Sequence, residues 1–483
     1  MNKNRLYIYI SQAIIISNMI ACKPTKLVQR EPNKVLPEQF DNTKSTMENS
    51  SLIKWNNYFK DENLVKLIST ALDNNQELNI MLQEIEMSKN EISAKKGEYL
   101  PSVGIKVGAG VDKVSRYTNI GAMEATTDIT HGKEMPEPLF DFGAVLQAQW
   151  ETDIWGKLRN AKKAQVERYL ASVEGRNFMV TNIISEIAES YYELIALDNE
   201  LLVIDQNIAI QNNVLQIIKD LQQNARSTKL AVKRFEAQIL KTQSLQYNIQ
   251  QQITETENRI NYLLGRTPQP IQRDHQSLES LIPNTVYTGV PAQLLDNRAD
   301  IRQAEFELKA SKLDVASAKA RFYPSLDLKA GVGLQAFDPT YLIKPESYLL
   351  SILGDLTAPL INKRAIEAAY KNANARQLQA VLEYEQTVLN AYIEVTNQLS
   401  KINNLEKSAD LKKKEVDVLY ESVTISNDLF KYAKADYMEV LLTQREALDA
   451  KFEWIEKKAE QLKTSVTIYR ALGGGWNSNE IKN

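Results

Sequence analysis

The chain has 483 residues, with 58 Lys and Arg against 61 Asp and Glu, so its formal net charge is only −3. Charges this nearly balanced exclude the basic field that a nucleic-acid partner requires. The single cysteine, Cys22, and two widely separated histidines, His131 and His275, exclude an intrachain disulfide and leave no metal-ligand spacing.

The first segment reads as an export signal. Lys3 and Arg5 supply a positive start, Leu6 to Ile16 an apolar core, and Met19-Ile20-Ala21-Cys22 resembles a bacterial lipobox whose cysteine is acylated after cleavage. The alternative is an unlipidated signal peptide that happens to contain a cysteine. Residues 23 to about 50, with Pro24, Pro32 and Pro37, read as a flexible tether.

Beyond the tether the pattern occurs twice, at a spacing a little over 200 residues. Pro101-Ser102 and Pro324-Ser325 each open a strand after a helical stretch. Leu221, Ala225 and Val232 match Leu429, Ala433 and Val440, and Leu264-Gly265 matches Leu472-Gly473, all 208 apart. Tyr191 and Glu193 match Tyr392 and Glu394 at 201. Each copy reads helix, strand pair, very long helix, turn, long helix.

The strands alternate with period two. Val103, Ile105, Val107, Ala109 and Val111 interleave with Gly104, Lys106, Gly108, Gly110 and Asp112; Leu146, Ala148 and Trp150 interleave with Gln147, Gln149 and Glu151. The second copy sets Leu326 to Leu334 against Asp327, Lys329, Gly331, Gly333 and Gln335, then Leu350, Ile352, Leu356 and Leu360 against Ser351, Asp355 and Thr357. A half-buried soluble sheet and a membrane sheet share this pattern; the anchor and the repeat favour the membrane. Tyr99, Trp150, Trp155, Phe322 and Tyr323 cluster at the strand ends as an interfacial girdle would. Four strands cannot close a barrel, so several copies would have to share one.

The long helices carry heptads. Leu441, Leu448, Ile455, Leu462 and Tyr469 recur every seven residues, with Phe452, Ala459 and Val466 between them, and Val180, Ile187, Leu194, Leu201, Ile208 and Leu215 do the same in the first copy. No nucleophile with its base, phosphate-cradling glycine loop or metal spacing is present, which argues against an enzyme. A purely structural coiled-coil lipoprotein is a further alternative.

The C-terminal run Tyr437-Met438-Glu439-Val440-Leu441, with Gln444-Arg445 and the closing Ala471-Leu472-Gly473-Gly474-Gly475-Trp476, resembles the end of TolC-like outer-membrane efflux lipoproteins, of the OprM and CusC branch that serves resistance-nodulation-division pumps. Leu294-Leu295-Asp296-Asn297-Arg298-Ala299-Asp300-Ile301 is similar to a run of that branch, with Ala299 where proline is usual. Trp150 to Lys157 and Ala358-Pro359-Leu360 resemble its two strand-to-helix junctions.

The resemblance implies a mainly α chain with membrane β: a homotrimer whose twelve-stranded outer-membrane β-barrel, four strands per chain, continues into a long α-helical coiled-coil periplasmic barrel. It divides the chain into a signal peptide (1–21), a lipidated tether (22–50), an equatorial segment with the first helix (51–98), the first strand pair (99–155) and the first helical hairpin (156–265). An equatorial belt segment (266–297), a helix (298–322), the second strand pair (323–361), the second hairpin (362–472) and a tail (473–483) follow. It implies no cofactor beyond covalent lipid on Cys22. The implied partners are outer-membrane lipid, a periplasmic adaptor protein and an inner-membrane efflux pump. The hairpin tips, with Ala225, Arg226, Ser227, Ala433, Lys434 and Asp436, would dock the adaptor; the family usually has glycine where Ala225 and Ala433 stand. Where the family has an aspartate ring at its entrance, this chain has Glu439 and Leu442, so a Glu439 ring helped by Asp436 and collared by Leu442 is expected. The function implied is passive conduction of small solutes, with a protein-export duct as the alternative use of the same architecture.

Overall fold

In the computed structural model the described residues are 27–28, 30–40, 48–130, 132–274, 278–281, 283, 286–359, 361–432 and 434–476. Cys22, His131, His275, Leu360 and Ala433 lie outside them. In chain order the principal elements are α1 (Glu62–Asn74), α2 (Gln76–Tyr99), β1 (Ser102–Asp112), β2 (Leu139–Thr152), α3 (Lys157–Gln223), α4 (Lys229–Leu263), α5 (Ala299–Ala320), β3 (Ser325–Ala336), β4 (Tyr348–Thr357), α6 (Arg364–Lys431) and α7 (Tyr437–Ala471). The succession α2-β1-β2-α3-α4 recurs as α5-β3-β4-α6-α7. With 67 and 68 residues, α3 and α6 each rise roughly 100 Å.

The chain forms two units. The first comprises residues 1–31, 86–170 and 306–382. Its centre is one antiparallel sheet of order β1-β2-β3-β4. Beside the sheet, Phe322, Ala318 and Tyr370 form a small core onto which Leu27 packs. Glu31 pairs with Lys312 at 2.6 Å, and the Gln377 amide donates to the Arg30 carbonyl at 3.4 Å. Strand β4 ends at Thr357, short of Leu360; Pro359, with no N–H to donate, cannot continue a ladder.

The second unit comprises residues 32–85, 171–305 and 383–483. Its core joins Tyr58, Phe59, Leu64 and Ile68 to the heptad residues Ile187 and Leu194 of α3 and Ile455, Leu462 and Tyr469 of α7. Tyr58 stacks on Tyr469 with ring centroids 4.1 Å apart, and both hydroxyls donate to backbone carbonyls, of Ser465 and Ile53 respectively. The tether segment is not free throughout its length. Phe40 is 1% exposed and stacks on Tyr392, and Lys34 pairs with Glu305 at 2.8 Å. An aromatic ring removed from water outweighs the polar character of its neighbours in the sequence.

Two sequence motifs prove to be two halves of one lock. Arg298 is buried and makes a fork to Asp300, a bond to Glu394 at 2.8 Å and a bond to the Ala471 carbonyl at 2.8 Å. Arg470 reaches the other oxygen of Glu394, and the Trp476 indole donates to the Asn297 carbonyl. A buried guanidinium is tolerated only with its donors satisfied. Here the start of α5, Glu394 of α6 and the end of α7 satisfy it together.

The repeat is most regular where helices end. At the end of α4 the Gly265 and Arg266 amides donate back to Tyr262 and Asn261, and at the end of α7 those of Gly473 and Gly474 donate to Arg470 and Tyr469. This is the Schellman closure, which needs a left-handed residue after the helix. Gly265 and Gly473 supply it, with φ of 65° and 89°. At the first tip Ala225 and Arg226 donate to Gln222 and Leu221 in the same way, and Ala225 holds φ 59° with a side chain attached. Lys434 donates to Leu429 at the second tip. All four closures share the 208-residue offset, and α4 and α7 each span 35 residues. The continuous helices therefore place Tyr191 opposite Leu399, not opposite Tyr392. The 201-residue match is one heptad out of register, a slip that an apolar seven-residue period cannot expose.

The caps give two opposed expectations. Ala225→Gly should raise stability by up to about 1 kcal/mol, since left-handed backbone costs an L-residue roughly 1–2 kcal/mol and glycine's unfolded-state entropy returns part of it. Gly473→Ala should lose well over about 1 kcal/mol, because its Cβ would sit 2.5 Å from the Asn297 carbonyl oxygen as well as at positive φ. Denaturant unfolding followed by helical circular dichroism reads both; equal midpoints for the three proteins would contradict the cap assignment.

Candidate functional site

Two surfaces carry residues that the folded chain leaves unused. The first is one face of the sheet. Register places Ile105 beside Leu146, Leu146 beside Val332 and Val332 beside Leu350. The neighbouring rows run Val103, Ala148, Ala330 and Ile352, then Val107, Ala144, Leu334 and Tyr348. One face is thus apolar across all four strands, and among the described residues nothing covers it: Ile105 is 72% and Ile352 77% exposed. The reverse face carries Lys106, Gln147, Gln149, Asp327, Lys329 and Asp355 among glycines. A half-buried soluble sheet would bury its apolar side, so this sheet faces lipid. Its strands, at 11, 14, 12 and 10 residues, reach or exceed the roughly 9–11 that a tilted strand needs to cross a bilayer.

The strand ends are trimmed with aromatics whose polar atoms are satisfied. The Trp150 indole donates to the Tyr99 carbonyl and that of Trp155 to the Pro324 carbonyl, while Trp155 stacks on Tyr323 at 4.7 Å. Phe322 does not join this girdle. It is buried against Tyr370, edge to face at 5.6 Å, because the helical turn before Pro324 points it into the packed side.

The second surface lies at the hairpin tips and the first turns of α7. Asn224 to Thr228 join α3 to α4, and the Thr228 hydroxyl caps α4 by accepting from the Ala231 amide at 3.2 Å. Ala225 and Arg226 are exposed and Ser227 is partly so. At the second tip Lys434 and Asp436 are exposed; Asp436 occupies the equivalent cap position of α7 but makes no side-chain capping bond. Val440 inserts into a cluster built by Val214, Ile218, Val232 and Phe235 of the first hairpin. That contact fixes the rotation of α7: Val440, Gln444, Ala447 and Leu448 are buried, while Glu439, Leu442 and Glu446 project from the other side. Asp436, Glu439 and Leu442, at steps of three, share an exposed strip.

A further surface is absent from the sequence motifs. Leu411, Val418, Ile425 and Tyr432 recur every seven residues along α6 and just past it, yet all are exposed, Val418 at 62%. The seven-residue period was available in the sequence. Its exposure was not, since a heptad stripe has the same pattern whether its partner helix lies in the same chain or another. Among the described residues no group of three or more His, Cys, Asp or Glu could hold a metal ion, and no helix is long and apolar enough to cross a membrane.

Residues 67–266 and 290–474 match the family model of the outer membrane efflux protein. The chain is 25% identical over 430 residues to the pyoverdine export outer membrane protein OpmQ of Pseudomonas aeruginosa, covering 89% of each chain. It is 23% identical over 472 residues to the probable outer membrane lipoprotein SilC of Salmonella typhimurium, covering 97% of this chain and 98% of that one. The open-state structure of the Neisseria gonorrhoeae MtrE outer membrane channel superposes with a TM-score of 0.81 at 20% identity, over 94% of this chain and 98% of that one. With both repeats matched in order and the lipid-facing sheet in place, the chain belongs to the outer membrane efflux protein family.

Proposed function

We propose that three copies of this chain close one twelve-stranded barrel in the outer membrane, continued by a twelve-helix periplasmic tunnel, and that this duct passively conducts small solutes handed to it by an adaptor protein and an inner-membrane pump. The observation that carries the reading is the open sheet. Among the described residues strands β1 and β4 each pair on one side only, and unpaired backbone groups are not tolerated in hydrocarbon. Joining β1 of one copy to β4 of the next removes every edge, and three copies make a closed ring whose lining is the polar face. The exposed heptad stripe of α6 supports association with other copies, because a bare apolar seam on a wetted helix calls for a partner helix. The duct itself performs no chemistry in this reading; a channel needs a lined path, not a reacting group.

At the entrance, Asp436, Glu439 and Leu442 converge from three copies toward the axis. Glu439 then forms a ring of carboxylates that attracts cations, and Leu442 forms an apolar collar beside it. The tips, with Ala225, Arg226 and Ser227 on one hairpin and Ala433, Lys434 and Asp436 on the other, receive the adaptor. Cys22 carries the lipid. Leu27 packs beside Phe322, which precedes the first residue of β3 by three positions, so five residues of chain hold Cys22 within roughly 18 Å of that point. A lipid attached there reaches the leaflet in which the strands begin.

Three measurements test these assignments. Native mass spectrometry of the detergent-solubilised protein should give a trimer; a monomer with its sheet intact would remove the barrel. In planar bilayers Glu439→Gln should weaken cation preference several-fold and Leu442→Ala should raise conductance, whereas channels indistinguishable from wild type would free both residues of any role at the entrance. Labelled palmitate should enter the wild type and not Cys22→Ser, and equal labelling would reject the anchor.

A further inference from the structure

Within the second unit, a cavity of about 710 Å³ opens where α3, α4, α6 and α7 pass one another, and its wall is dominated by carboxylates. Most of these have partners. Glu193 of α3 takes Lys463 of α7 at 3.1 Å, and Glu460 of α7 takes both Lys401 of α6 at 3.1 Å and Lys457 at 3.3 Å. Glu189 accepts from the hydroxyls of Ser185 and Thr467, and Glu255 of α4 accepts from the Gln251 amide. The cavity's two lysines are thus spent. Glu200 of α3 and Glu456 of α7 line the same space from opposite helices, and among the described residues neither has an ion pair.

The geometry points to a proton-operated seam: α3 and α7 lie close when Glu200 keeps its proton, and loosen when Glu200 and Glu456 are both ionised. Two like charges lining one cleft, with Glu200 half-buried and Glu456 exposed, cost free energy that one proton removes. Burial first, and the Glu456 charge second, push the Glu200 carboxyl up to about 7. A carboxyl raised in this way binds its proton more tightly in the closed seam than in an opened, hydrated one. Stability of the seam is therefore full at low pH, is lost as pH rises toward 7 and stays low above it. The device concerns the helices of one chain and does not depend on what the duct carries.

Amide hydrogen exchange of the detergent-solubilised full chain decides the matter. Segments 193–204 and 452–464 are followed at pH 6 and pH 8, with times scaled for the chemical pH dependence of exchange. Segment 206–218, which holds no titratable side chain, serves as the internal control. A carboxyl titrating at about 7 in the closed seam should open both segments about tenfold more often at pH 8 than at pH 6, while the control stays level. Glu200→Gln should abolish that difference. Glu456→Gln, at an exposed position, should reduce it, and it settles the question if the first variant does not assemble. Equal opening of the wild type at the two pH values overturns the seam, as does a tenfold difference that survives in both variants.

Discussion

The sheet of this molecule answers to one requirement, on which the rest depends: a backbone N–H or C=O placed in hydrocarbon must find its partner within protein. The four strands satisfy it along three seams and leave it unmet along two edges. The bare apolar face makes the demand unavoidable, since Ile105, Leu146, Val332 and Leu350 form a continuous lipid-facing row and give the sheet no soluble resting place. Closure with other copies is the way the proposed duct meets it.

The helical part obeys a related logic with different forces. The heptads of α3 and α7 bury Ile187, Leu194, Ile455 and Leu462 inside one chain, and α6 buries Val388 and Val395, whereas its stripe of Leu411, Val418 and Ile425 stays exposed. A chain that buried every stripe would be a finished bundle with no lumen. In the proposed assembly the exposed α6 stripe is left for a neighbour, which lets separate molecules share a wall. The Schellman closures then fix where each helix stops, so that both tips fall at matched positions in the two repeats. Ala225 accepts backbone strain to keep that stop.

Belonging to the outer membrane efflux protein family gives these surfaces a common purpose. Placement takes over from the reacting groups of an enzyme: carboxylates and an apolar side chain at the proposed entrance, polar side chains on the proposed lining, and a buried arginine, Arg298, that locks the beginning of α5 to the end of α7. Charge in such a duct acts on what passes and on the walls themselves, and the proposed seam of Glu200 and Glu456 would be an instance of the second kind.

The sequence by itself determined the period of every element: two-residue alternation in the strands, seven-residue seams in the helices, a 208-residue offset between hairpins, and glycine where Gly265 and Gly473 turn left-handed. These are local properties, set by backbone geometry and read from one stretch of chain at a time. Tertiary structure alone decided which apolar stripe is covered, that Phe322 turns inward while Trp155 stays at the strand end, that Phe40 is buried in what reads as tether, and that the 201-residue match is a heptad out of step. Those outcomes depend on what lies across the gap from each side chain. A repeating apolar pattern fixes which face seeks a partner, but only the packed chain shows whether it has found one.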